Sequence, residues 1–172
     1  MDKTTACGCL FLAIVLFLSS CSSRYQVVLN NNVLYSPIAS NVTPSILGDA
    51  DFQGCLNQHF ASTGVDDPEQ VTLLACPSAS IGSLVGIGAL PNLEQLELSD
   101  NSISDLRPLL SLKKLRVLSI RNNRVTDISP LMSLPLLRFV ALQGNNSIDC
   151  QRLAALDEKI GNSLNKPENC TN

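Results

Sequence analysis

The sequence predicts an α/β solenoid of about four strand-and-return turns, with a helical cap at each end. Three observations predict it. Leu90, Leu112 and Leu134 lie 22 residues apart, and so do Asn101, Asn123 and Asn145. Leucine dominates the apolar residues, while aromatics make up 4% of the chain and Trp is absent. A helix-spaced apolar segment flanks the repeating region on each side.

At 172 residues the chain is one domain's worth of sequence, preceded by a leader. Met1 to Ser20 reads as a secretory signal. Lys3 supplies its charge, and nine unbroken apolar residues follow from Leu10 to Leu18. That run is too short to span hydrocarbon, which needs about 20 residues. The segment Leu18-Ser19-Ser20-Cys21 resembles the bacterial lipobox. The resemblance implies cleavage before Cys21, acylation of its thiol with membrane lipid (palmitate among the chains), and a mature protein that starts there. Ser22, in place of Asp, implies export to the outer membrane. Several acyl chains on one residue give stable anchoring. The expected address is therefore the bacterial envelope. Cys7 and Cys9 leave with the signal. Three Asn-x-Ser/Thr triplets, at Asn41, Asn145 and Asn169, are chance matches in a bacterial chain.

Residues 21–48 read as a tether. Two β-prone runs, Val27-Val28-Leu29 and Val33-Leu34-Tyr35, flank three asparagines and leave room for a hairpin or an added edge strand. Residues 49–67 read as the N-terminal cap. Phe52, Cys55, Leu56 and Phe60 have helical spacing over Asp51 to Ala61, with Asp49 or Asp51 as N-cap.

Residues 68–150 carry the repeats. The units LPNLEQLELSDNSISDLRPLLS, LKKLRVLSIRNNRVTDISPLMS and LPLLRFVALQGNNSIDC share L-x-x-L-x-L-x-x-N. This is a leucine-rich-repeat signature. The 22-residue period, with Asp-Leu-x-Pro-Leu and Asp-Ile-Ser-Pro-Leu on the return side, resembles the bacterial internalin-type repeat. One period earlier, Val71, Leu74, Cys76, Ile81, Leu84 and Ile87 fall in the same columns, with Ala79 replacing the asparagine. Each unit supplies a strand and a return segment that cannot bury a face alone, so stacked neighbours share one core. Leu96, Leu98, Leu118, Ile120, Val140 and Leu142 are expected to point inward, and the asparagine amides to bond adjacent turns. Residues 151–172 read as the C-terminal cap. They include a helix over Gln151 to Leu164, apolar at Leu153, Leu156 and Ile160.

Four cysteines remain. Cys76 shares the core column of Leu98, and Cys150 aligns with Leu106 and Ile128. At about 4.8 Å per turn, three steps separate them by roughly 14 Å. A disulfide needs Cα atoms within about 7 Å. Pairings across the repeats are excluded, which leaves Cys55–Cys76 and Cys150–Cys170. An oxidising envelope compartment agrees with both.

Chemistry-bearing motifs are sparse. His59 is the single histidine, and neither Gly-x-Ser-x-Gly nor His-Glu-x-x-His occurs. Gly82, Gly86 and Gly88 lack the Lys-Ser/Thr of a phosphate loop. Asp105, Asp127 and Asp149 form a 22-residue ladder. Turn capping explains it better than calcium, because a carboxylate there accepts orphan backbone N–H groups. The expectation is no enzyme, no cofactor and no metal. The net charge of −3 disfavours nucleic acid.

What remains is surface. The outward columns of the strands are Leu73, Gln95, Val117 and Phe139; Ala75, Glu97, Ser119 and Ala141; and Pro77, Ser99, Arg121 and Gln143. The expected protein-binding site comprises Leu73, Gln95, Glu97, Val117, Ser119, Arg121, Phe139, Ala141 and Gln143, centred on Phe139. Contiguous apolar surface of this kind marks partner sites. A rival reading is an assembly lipoprotein that docks through its N-terminal segment. Charge is also asymmetric. Nine acids and no Lys or Arg lie between Arg24 and Arg107, and seven bases against Asp127 alone lie from Arg107 to Arg138.

Overall fold

The computed structural model describes residues 27–29, 32–35, 45–161 and 163–170. Cys21 and the segment expected as a signal, residues 1–20, fall outside these residues. Two compact units divide the chain, Met1–Asn41 and Val42–Asn172. In the first, β1 (Val27–Leu29) pairs antiparallel with β2 (Asn32–Tyr35), a hairpin in the expected place.

The second unit opens with α1 (Ala50–Thr63). Asp49 is its N-cap, and its carboxylate accepts from Asp51 N and Phe52 N. Gly64 ends the helix at φ 72°, its N–H donating to the Phe60 carbonyl. Phe52, Leu56 and Phe60 recur at helical spacing and enter the core. Packing starts before Gly48, inside the stretch 21–48 expected as a tether. Leu47 is 2% exposed, and Gln53 Oε1 accepts from Ile46 N and Leu47 N at 2.8 and 3.0 Å. Gly86 makes that approach possible. At φ +91°, an added Cβ there would fall 2.2 Å from the Ile46 carbonyl oxygen.

Five parallel strands form one sheet in chain order: β3 (Leu73–Ala75), β4 (Gln95–Glu97), β5 (Val117–Ser119), β6 (Phe139–Ala141) and β7 (Leu164–Asn165). β7 is a correction. Leu164 was expected on the C-terminal helix, but its residue pairs with Val140. The return segments are 3₁₀ turns at Ile87–Ala89 and Arg107–Ser111 and a short helix, α2 (Ser129–Met132). Pro108 and Pro130 occupy their first turns, where no N–H is needed. Leu90, Leu93, Leu96, Leu98 and their equivalents one and two periods on are all buried.

The asparagines stitch neighbouring turns. Asn123 Oδ1 accepts from Ile103 N at 2.9 Å, and its Nδ2 donates to the Leu98 and Ile120 carbonyls at 2.9 and 3.1 Å. Asn101 and Asn145 repeat the pattern. The residue before each asparagine, and its counterpart in the first turn, has positive φ: Ser78 53°, Asp100 59°, Asn122 51° and Gly144 75°. The aspartate ladder caps turns as expected. Asp105, Asp127 and Asp149 each accept from the backbone N–H two residues on.

After Asp149 the chain enters α3 (Cys150–Ile160), whose Leu153, Leu156 and Ile160 join the core. Lys159 Nζ donates to the Leu131 and Leu134 carbonyls at 3.0 and 2.6 Å, closing the end of α2. Cys55–Cys76 and Cys150–Cys170 are disulfides, with Cα separations of 5.9 and 5.4 Å. Cys150 departs from its column. Leu106 and Ile128 are buried, but Cys150 is exposed because the Asp149-capped helix starts there and turns the chain away from the repeat.

Candidate functional site

The sheet register carries the candidate surface. Leu73 pairs with Gln95, Gln95 with Val117, and Val117 with Phe139. Ala75, Glu97, Ser119 and Ala141 pair in the same way. Side chains two apart on a strand share a face, so both columns lie opposite the buried Leu74, Leu96, Leu118 and Val140. The strands are three residues long because the chain bends away on either side into turns that the leucines bury.

Not every expected residue is open. Leu73 is 48% exposed, Gln95 and Arg121 are exposed, and Val117, Phe139, Glu97 and Gln143 are half-buried. Ser119 and Ala141, expected as open contacts, are only 8% and 3% exposed. Their side chains are short, and larger residues two positions away along the chain flank them. For Ala141 these are Phe139 and Gln143. They floor the surface rather than project from it. A groove of about 210 Å³ covers the Ser119 part of this floor, lined by Leu73, Ala75, Gln95, Glu97, Val117 and Ser119.

A polar margin follows the apolar column. Ser99 Oγ lies 3.0 Å from Ser119 Oγ, and Arg121 Nε donates to Ser99 Oγ at 3.4 Å. Glu97 Oε1 accepts from Ser99 N at 2.8 Å. The Gln143 Oε1 is shielded and has no hydrogen-bond partner among the described residues, an acceptor left open on this margin.

A second recess, about 560 Å³, separates α1 from β3 and was not foreseen. Asp51, Gln58, His59 and Ser62 line the helix side, with Leu73, Ala75 and Ser78 opposite. His59 is half-buried there, its ring 6.3 Å from that of Phe60 in an edge arrangement. No group of three His, Cys, Asp or Glu residues able to hold a metal occurs among the described residues. Among those same residues, no helix is long and apolar enough to cross a membrane.

The leucine-rich-repeat family, described as leucine rich repeats in two copies, matches residues 91–131 and 113–156. The chain carries leucine-rich repeats. These repeats and their parallel sheet match structures of Listeria monocytogenes internalins. One, an internalin (inlF), is 34% identical with a TM-score of 0.62 over 74% of this chain and 38% of its own. Another, internalin C2 (inlC2), is 26% identical with a TM-score of 0.58, covering 71% of this chain and 56% of its own. The leucine-rich-repeat chain thus spans roughly four-tenths to just over half the length of these relatives. No curated protein matches the chain.

Proposed function

We propose that this is a non-enzymatic lipoprotein of the bacterial outer membrane that uses its repeat sheet to bind a protein partner. In this reading the repeats form a short solenoid with α1 and α3 as caps, and acylated Cys21 holds the array at the membrane. Neither a cofactor nor nucleic acid takes part. One observation carries the binding role: the register aligns Leu73, Val117 and Phe139 on an accessible sheet face, beside Arg121. An aromatic next to an Arg is the composition that binding hot spots favour. A rigid surface also loses little freedom on binding. The lipobox-like Leu18-Ser19-Ser20-Cys21 supports the anchor.

Capture from crosslinked membranes tests the binding surface. Phe139→Asp should weaken partner capture by at least roughly 2 kcal/mol while leaving the melting temperature nearly unchanged. Undiminished capture by a folded variant would reject the sheet face. Mass spectrometry of the membrane-extracted protein should find a lipid on Cys21 and residues 1–20 removed. A mature protein without lipid would reject the anchor.

A further inference from the structure

Where the chain enters the strands, the sheet has a charged edge distinct from the face described above. Two rows run along it. In one, Asn92 Nδ2 donates to the Glu69 carbonyl at 2.7 Å, and Lys114 Nζ donates to Asn92 Oδ1 at 2.6 Å. In the other, Arg116 Nε lies 3.3 Å from Glu94 Oε2, and Arg138 N donates to the Arg116 carbonyl at 2.8 Å. The rows sort by sign. Glu69 and Glu94 lie in the first two turns; Lys113, Lys114, Arg116 and Arg138 lie in the next two. Glu94–Arg116 is the one ion pair across the boundary among the described residues. Glu69, Lys113 and Arg138 are exposed.

We propose that this edge is a self-association surface. A second copy, turned about a two-fold axis near Asn92, lays its basic block on the acidic block of the first and receives the reverse contact. A two-fold interface must be self-complementary, and a strip with one acidic and one basic half satisfies that condition. The blocks meet only at Glu94 and Arg116, and their centres lie about two strand spacings apart, roughly 10 Å. That exceeds the Debye length of about 8 Å at physiological salt, so the outer charges do little to neutralise each other within one chain. A mate at contact distance does neutralise them. An unrelated anionic partner would use the basic block alone and be repelled by the neighbouring acids. Pro91 and Pro135, both exposed and one 22-residue period on either side of Lys113, add stiff apolar surface whose burial costs no side-chain entropy.

Sedimentation of the full chain in nonionic detergent, at about 0.02 M and about 0.5 M salt, tests the proposal. A dimer at low salt that disperses at high salt is expected. Lys113→Glu with Lys114→Glu, and separately Glu69→Lys with Glu94→Lys, should each weaken association at least about tenfold. Mixing the two reversed chains should restore a dimer, because each contact then joins opposite signs. A wild-type monomer at low salt would overturn the proposal. So would reversed chains that still self-associate, or that stay apart on mixing with native circular dichroism. If a reversal unfolds the chain, Lys113→Gln with Lys114→Gln must weaken the dimer, and an unchanged dimer rejects the interface.

Discussion

Gly144 backs onto Asn122 so closely that a Cβ added to it would fall 2.0 Å from Asn122 Oδ1 and 3.0 Å from its Cα. Its φ is +75°, in the region that side chains disfavour. Steric and torsional demands coincide at this one position of the ladder. Gly144→Ala should therefore lower stability by about 1–3 kcal/mol, read by urea denaturation. Ser78 occupies the equivalent place with φ 53° and already carries a side chain. Ser78→Gly should be neutral or stabilise by up to about 1 kcal/mol.

Asn123 meets four backbone groups through one buried amide. Removing it strands Ile103 N, whereas the Leu98 and Ile120 carbonyls each lose one of two donors and keep the Nδ2 groups of Asn101 and Asn145. Each stranded buried group costs about 1–3 kcal/mol. Asn123→Ala should thus cost at least about 1 kcal/mol. Asn123→Asp keeps the acceptor, loses the donors and places a charge in the core. Thermal denaturation should rank both variants well below wild type.

Asp49 joins α1 to the first return turn. Oδ1 caps the helix, while Oδ2 accepts from Gly82 N and Ser83 N at 2.9 and 3.0 Å. Partial burial pushes its pKa up, but the N–H groups of Phe52, Gly82, Ser83 and Asp51 outweigh that and hold it below 3.8. A depressed folded pKa makes the charged form stabilising above the unfolded value, and that stability is lost as pH falls through the folded value. Asp49→Ala should cost about 1–2 kcal/mol at neutral pH. The gap between variant and wild type should narrow only below about pH 4. A gap that is constant with pH would mean the carboxylate charge is not involved.

The two disulfides close loops with sequence separations of 21 and 20. Chain entropy gives about 3 kcal/mol for each. Cys55→Ser with Cys76→Ser, and the corresponding pair at Cys150 and Cys170, should each lower the denaturation midpoint. Hydrogen exchange should then rise first in the end that lost its bridge. Uniform loosening of the whole chain would contradict the local role given to each bond.

The sequence declared the repeat because its signals are periodic and chemically narrow. Leu96 and Asn123 can be read by spacing alone, since few residue types fill an apolar column or bridge two turns. The left-handed positions were hidden, because Ser78, Asp100, Asn122 and Gly144 share a backbone angle and no side-chain type. β7 was hidden for another reason. Leu153, Leu156, Ile160 and Leu164 continue one helical period, and only Gly161, at φ 70°, breaks it. Ile46-Leu47 is an apolar pair too short for any period, and its backbone is held by Gln53, which no periodicity reveals. At the candidate site, alternation gave the direction of Ser119 and Ala141 but not the shading by their longer neighbours.

Asparagine bonds always reach one turn back, and each disulfide begins and ends within its own extremity of the sheet. No bond ties the first turn to the last among the described residues. The array is therefore spliceable: a further copy of residues 112–133, inserted before Leu134, finds a ready socket on one side and offers one on the other. Each insertion should widen the sheet by about 4.8 Å and leave both ends as they are. Lineages or engineers can lengthen the sheet one cassette at a time without renegotiating its termini.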